Sequence, residues 1–196
     1  MIRKKAQEAG CFFLFLIVVF SQHVRGEIVE SQTMMDLIKF SNRETLVVLD
    51  LTDTLLKSTP SGINPVEPMT PEVIHQLQER GILLLGLTAG SSKIAKKRVH
   101  QLASIAIDLS KSTVYPEEIE FKSKYPAKFL EGIIFAGSRN DKGKTLFCLL
   151  DHIRLKPKKI LFIDDQIHNV RSVDAAAKKR QIPFLGLYYT PIALQN

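Results

Sequence analysis

The apolar positions of this chain gather into short runs set apart by amphipathic stretches of ten to fifteen residues. Leu46 to Leu51, Ile82 to Leu87, Lys159 to Ile163 and Phe184 to Tyr189 are too short for helices and rich in aliphatic and aromatic side chains, so they predict strands buried on both faces. The stretches Glu72–Arg80, Ser92–Ile105, Lys142–Ile153 and Asn169–Arg180 predict helices, the first opened by Thr70-Pro71-Glu72 and stopped by Gly81. Ahead of them, Ile28, Met34, Met35, Leu37, Ile38 and Phe40 read as a short amphipathic helix over Glu27–Phe40. Pro60, Gly62, Pro65 and Pro68 make Lys57–Pro68 a loop. Residues 107–140 break the rhythm: Ile119 with Phe121, then Phe129–Phe135, predict a small hairpin insert that is also the candidate partial lid. Strands alternating with helices imply right-handed parallel βαβ units. The expected fold is α/β, a doubly wound parallel sheet with helices on both faces, forming one domain over 27–196.

Three of the expected strands end in polar residues, at Asp50, Thr88 and Asp164-Asp165. In an open parallel sheet such ends share one edge, where ligands bind. Three carboxylates brought together repel and raise one another's pKa values unless a cation holds them. Oxygen ligands without His or Cys at ligand spacing favour Mg²⁺, which keeps water and substrate phosphate in the rest of its octahedron. That set points to phosphoryl chemistry, which needs an in-line nucleophile and positive charge around the phosphoryl oxygens. Asp50 is the candidate nucleophile, forming an aspartyl-phosphate. Thr88 can donate its hydroxyl to a phosphate oxygen, and the helix starting near Ser91 adds an anion-friendly terminus. Lys142, preferred over Lys144 because it begins its helix, can hold the same oxygens and balance the carboxylates.

Together these residues resemble the haloacid dehalogenase superfamily of phosphohydrolases. Its four motifs, in chain order, are Asp-x-Asp-x-Thr, a strand-end Ser or Thr, a Lys and an acidic pair. They are matched by Asp50-Leu51-Thr52-Asp53-Thr54, Thr88, Lys142 and Asp164-Asp165, with Asn169 following. The Lys142-Gly143 and Phe162-Ile163-Asp164-Asp165 segments are similar to an exported bacterial branch of that superfamily. The resemblance implies a Rossmann-like core. It implies Mg²⁺ held by Asp50, Asp164, Asp165 and the backbone carbonyl of Thr52, and a phosphorylated substrate contacted by Thr88, Ala89, Lys142 and Asn169.

Position 52 departs from the pattern. The superfamily's phosphatases carry there an aspartate that acts as general acid and base, whereas a threonine hydroxyl has no accessible pKa near neutrality. Asp53 is not expected to substitute, because one step along a strand or its exit turns the side chain the other way. The P-type ATPases of the superfamily have the same Thr and a long-lived phospho-aspartate. Thr52, counted with Asp50 and Lys142 in the catalytic set, thus implies slow turnover, a phosphotransferase, or a degenerate member that serves as a secreted binding or interaction protein. A phospho-receiver domain is excluded, because its acidic pair lies on the first strand and its lysine comes last.

The first 26 residues differ in composition. Arg3, Lys4 and Lys5 precede the apolar run Cys11–Phe20 and a polar exit through Ser21–Gly26, the pattern of a signal peptide cleaved after Gly26. A membrane span needs about 20 consecutive apolar residues, so no stable membrane insertion is expected after cleavage, and the mature chain is expected to be periplasmic or secreted. The leader carries part of the +7 net charge. The other cations, including Lys93, Lys96, Lys97 and Arg98, are scattered without aromatic interleaving and read as solvated helix faces, so no nucleic acid partner is expected. Cys148 is the one cysteine beyond the leader, and its apolar neighbours predict a small buried side chain.

Overall fold

The computed structural model describes residues 26–121 and 125–192. The leader expected over residues 1–26 lies outside these residues apart from Gly26. Among the described residues, no helix is long and apolar enough to cross a membrane.

In chain order the elements are β1 (Glu27–Ser31), α1 (Met35–Phe40), β2 (Thr45–Leu49), β3 (Leu56–Thr59), β4 (Gly62–Pro65), α2 (Thr70–Glu79), β5 (Leu83–Thr88) and α3 (Ala95–Ser104). They continue with β6 (Ile119–Phe121), β7 (Ala127–Leu130), β8 (Ile133–Phe135), α4 (Lys142–His152), β9 (Lys159–Asp164), α5 (Ile167–Lys179) and β10 (Phe184–Tyr189). The main sheet runs β1-β10-β9-β2-β5-β8-β7-β6. Its first six strands are parallel; at the edge β7 runs antiparallel to β8, and β6 runs antiparallel to β7. The expected α/β doubly wound architecture is the one observed.

Strand alternation divides the core into two layers. Val47, Leu49, Leu84, Leu161 and Ile163 face α1, α2 and α3 through Leu37, Val73, Ile74, Leu77 and Leu102. Leu46, Val48, Leu85, Leu87, Ile160 and Phe162 face α4 and α5 through Leu146, Leu149, Leu150, Val170, Val173 and Ala177. From β2 the chain moves outward through β5 to β8; α4 then returns it to the other flank of β2, where β9 and β10 form. The order therefore reverses between β2 and β9, which makes a crevice at their carboxyl ends.

Four expectations change. Residues 27–31 form an edge strand, not the start of a helix: Ile28 and Val29 are β-branched, and β10 offers them an open parallel ladder. The helical pattern survives only in Met35–Phe40. The Lys57–Pro68 loop folds as the β3–β4 hairpin, its turn closed by Gly62 at φ 121°. The 107–140 segment places its hairpin in the main sheet, because β8 pairs parallel with β5 and β7 continues the ladder. Finally, Cys148 is exposed rather than buried. Leu146, Leu149 and Leu150 take the inward face of α4, and the cysteine falls on the outer side.

Candidate functional site

β9, β2 and β5 are neighbours, and their registers bring the expected site residues level. Leu49 pairs with Ile163 on one side and Gly86 on the other, so Asp50 stands beside Asp164, with Thr88 one step further along β5. The Asp50 N–H donates to the Ile163 carbonyl at 3.0 Å, which extends the ladder one residue past β2 and fixes the direction in which its carboxylate leaves the sheet.

Lys142 reaches this point from the first turn of α4. Its Nζ donates to Asp164 Oδ2 at 2.7 Å and to Asp50 Oδ1, and all three side chains are buried. Lys144 is exposed, and its backbone N–H donates to the capping Asp141 carboxylate at 2.8 Å. The structure thus distinguishes the two lysines by position: α4 begins at Lys142, so that side chain alone points back over the sheet edge.

A second set of contacts aims Asp164. Its Oδ1 accepts from the Gln166 N–H at 2.8 Å and from the Asn169 amide at 3.0 Å. Asn169, expected to touch substrate, therefore spends its amide on holding this carboxylate. Asp165 is partly buried and accepts from the Gln166 amide at 2.6 Å. Ligand oxygens of Asp50, Asp164 and Asp165 all lie within 4.8 Å of one another. Such a set, made only of oxygen donors, fits a hard divalent cation.

The electrostatics are those of a site with surplus negative charge. Burial pushes the Asp50 carboxyl up to about 7; Lys142 pulls it down, and Asp164 and Asp165 add to the rise. Burial also raises Asp165, with the Gln166 amide opposing and Asp164 and Asp53 reinforcing. Burial pulls the Lys142 ammonium down, but Asp50 and Asp164 outweigh it and hold the group above the ordinary lysine value. One ammonium faces three carboxylates, so a divalent cation would find both ligands and uncompensated charge here.

The turn leaving Asp50 is tight. The N–H groups of Leu55 and Leu56 both donate to the Leu51 carbonyl, and Asp53 sits in the left-handed region at φ 61°. Thr52 is exposed and bridges to Leu56. Because residues 52–54 are not strand, the alternation expected to turn Asp53 away does not apply: its charge acts on Asp165 on one side and on Arg98 on the other. Thr88 is buried, and its Oγ1 accepts from the Gly90 N–H at 3.1 Å, which leaves the hydroxyl hydrogen free to donate; Ala89 is exposed.

Sequence reasoning missed Gln166 and Arg98. Nothing in the sequence marks Gln166 beyond its place after two aspartates. Arg98 had a signal, since it interrupts an apolar stripe between Ala95 and Leu102.

Comparison with known proteins adds relatives. A "Putative outer membrane protein" of Chlamydia trachomatis serovar D is 27% identical over 142 residues, covering 70% of this chain and 51% of that protein. One of the same description from Chlamydia muridarum is 27% identical over 130 residues, covering 66% and 48%. The chain thus spans about half the length of these curated relatives. Among solved structures, the N-terminal part of protein BF1531 from Bacteroides fragilis, containing a phosphatase domain complexed with Mg, aligns with a TM-score of 0.48 at 12% identity, over 78% of this chain and 38% of that one. A family model described as "Protein of unknown function (DUF2608)" matches residues 59–196, a span that takes in Thr88, Lys142 and Asp164 and begins after Asp50. On that match, the chain belongs to the DUF2608 family.

Proposed function

We propose that this chain is an exported, Mg²⁺-dependent phosphohydrolase or phosphotransferase of the haloacid dehalogenase type, working through a phospho-aspartate at Asp50. The observation that carries the reading is Lys142 donating to both Asp50 and Asp164 at the point where strand order reverses, with Asp165 within ligand distance.

Asp50, Asp164, Asp165 and the Thr52 carbonyl would hold the ion, which supplies charge neutralisation for the phosphoryl oxygens. The Asp50 carboxylate attacks phosphorus in line. Lys142 favours the ionised form of that carboxylate against its burial and offers positive charge to the incoming phosphate, and the Thr88 hydroxyl donates to a phosphoryl oxygen. Asn169 and Gln166 hold Asp164 in place. No carboxylate stands at position 52 to activate water, so the phospho-aspartate is expected to break down slowly.

The test is phosphate release from an aryl phosphate with and without Mg²⁺. Metal-dependent release that disappears in Asp50→Asn supports the mechanism, and equal release by both proteins overturns it. Thr52 favours a second reading, a secreted binding protein that keeps the site but not turnover. Mg²⁺-dependent binding of a phosphate mimic, with no phosphate released from any ester, would select it.

A further inference from the structure

Asp174, on α5, is a buried carboxylate that the site at the sheet edge does not use. Its Oδ2 accepts from Lys178 Nζ at 2.5 Å, while its Oδ1 is buried with no hydrogen-bond partner among the described residues. The backbone of Gly26, just ahead of β1, lies against that oxygen: a Cβ built on Gly26 would fall 1.8 Å from Asp174 Oδ1. A carboxylate oxygen withdrawn from water without a donor costs free energy, and nearly all such oxygens in folded proteins have a partner. The partner that fits here is a donor, and a cationic one gains most.

Removal of the leader would supply such a donor. Val24 and Gly26 fit the −3 and −1 places of a cleavage site, and β1 starts at the next residue, Glu27. Hydrolysis of the bond between Gly26 and Glu27 puts the water oxygen on the Gly26 carbonyl carbon, which leaves as a carboxylate. Both water protons go to the Glu27 nitrogen, which becomes an ammonium. The backbone covering Oδ1 departs in that step, and the positive charge arises where it was joined to the chain. β1 is also the outermost strand of the sheet, with β10 as its neighbour, and a terminal strand frays unless its end is tied down.

We propose that Asp174 receives the α-ammonium of the processed chain, so that leader removal creates an ion pair between the Glu27 nitrogen and the Asp174 carboxylate and fastens β1 to α5. This rests on cleavage after Gly26 and is independent of the chemistry at Asp50. The charged side chains on the elements meeting here are Lys178, which holds Oδ2, the exposed Arg171 one turn earlier on α5, and the exposed Glu27 and Glu30 on β1. β10 contributes no acid or base other than Tyr188 and Tyr189. The new ammonium is the cation that arises at Oδ1.

The experiment expresses the full chain with its leader in a bacterial host, recovers the exported protein and reads its first residue by N-terminal sequencing and intact mass. Glu27 is expected, and any other first residue overturns the proposal at the cleavage step. The α-ammonium is then titrated by NMR after reductive ¹³C-methylation, which keeps its charge. An ordinary α-amino group titrates at about 7.7–8.0, and the ion pair should raise this to about 9, a roughly tenfold tighter hold on the proton. The pair then stabilises the processed protein below about pH 8, and its contribution is lost as pH rises through about 9. Asp174→Asn should return the group to the ordinary range, and Lys178→Met should keep the rise. An ordinary value in processed wild type overturns the pairing whether or not Asp174→Asn folds, and so does a rise that survives in Asp174→Asn.

Discussion

The backbone N–H of Gly143 donates to Ser172 Oγ at 2.9 Å, and a Cβ built on Gly143 would lie 2.4 Å from the Ser172 carbonyl oxygen. The first turn of α4 can seat this closely against α5 only because residue 143 has no side chain, and that seating is what places Lys142 between Asp50 and Asp164. Gly143→Ala should therefore lower stability by about 1–3 kcal/mol through overpacking, and should weaken Mg²⁺ binding as well. Urea denaturation and isothermal titration of the metal would check the two effects. Normal stability and normal Mg²⁺ affinity would show that α4 can shift freely.

Lys142→Met removes the cation shared by two buried carboxylates. In EDTA at pH 8 the variant should lose about 3–5 kcal/mol, the range for a buried pair broken from one side. Added Mg²⁺ should raise its Tm more than it raises that of wild type, because the ion replaces the missing charge. A smaller Mg²⁺ effect than in wild type would argue that Lys142 supports the metal ligands by geometry and not by charge.

Metal-free stability should depend on pH through Asp50. Burial lifts this carboxyl from 3.8 to about 7, so the folded state holds a proton that the unfolded chain releases. The group's contribution is complete below its unfolded pKa and is lost as pH rises toward about 7. Lys142, raised in its turn, keeps its own contribution into the alkaline range. Melting curves in EDTA between pH 4 and 8 should fall with pH in wild type and flatten in Asp50→Asn. Parallel slopes in the two proteins would remove Asp50 as the source.

Thr52→Asp should speed breakdown of the phosphoenzyme by roughly 10²-fold, the low end of general acid–base contributions. Rapid-quench measurement of acid-stable protein-bound phosphate gives the rate directly. An unchanged rate would mean that position 52 does not limit turnover.

Cys148 should react with Ellman's reagent in the folded protein as fast as a small thiol, since it lies exposed on α4. Peptide mapping of the product would identify the residue. Labelling only after denaturation would contradict the placement of α4's outer face.

Much of this was legible in the chain. The runs ending at Asp50, Thr88 and Asp164 became parallel neighbours because strands buried on both faces need helices above and below, and βαβ crossovers supply them. Less legible were features set by partners far away in sequence. Residues 27–31 have a local pattern compatible with a helix and became a strand because β10 left an edge to pair with. Asn169 was expected to contact substrate; the structure directs its amide at Asp164 instead.

By itself, the sequence determined the order of elements, the α/β class and which polar residues stand at strand ends, because alternation and periodicity are local properties written in consecutive residues. The tertiary structure decided which charges meet. It placed Lys142 and not Lys144 over the carboxylates, turned Arg98 inward and Cys148 outward, and brought Asp53 to the rim through a left-handed turn. Those outcomes follow from helix seating and strand exchange across the sheet, where a rotation of one residue exchanges a buried partner for solvent.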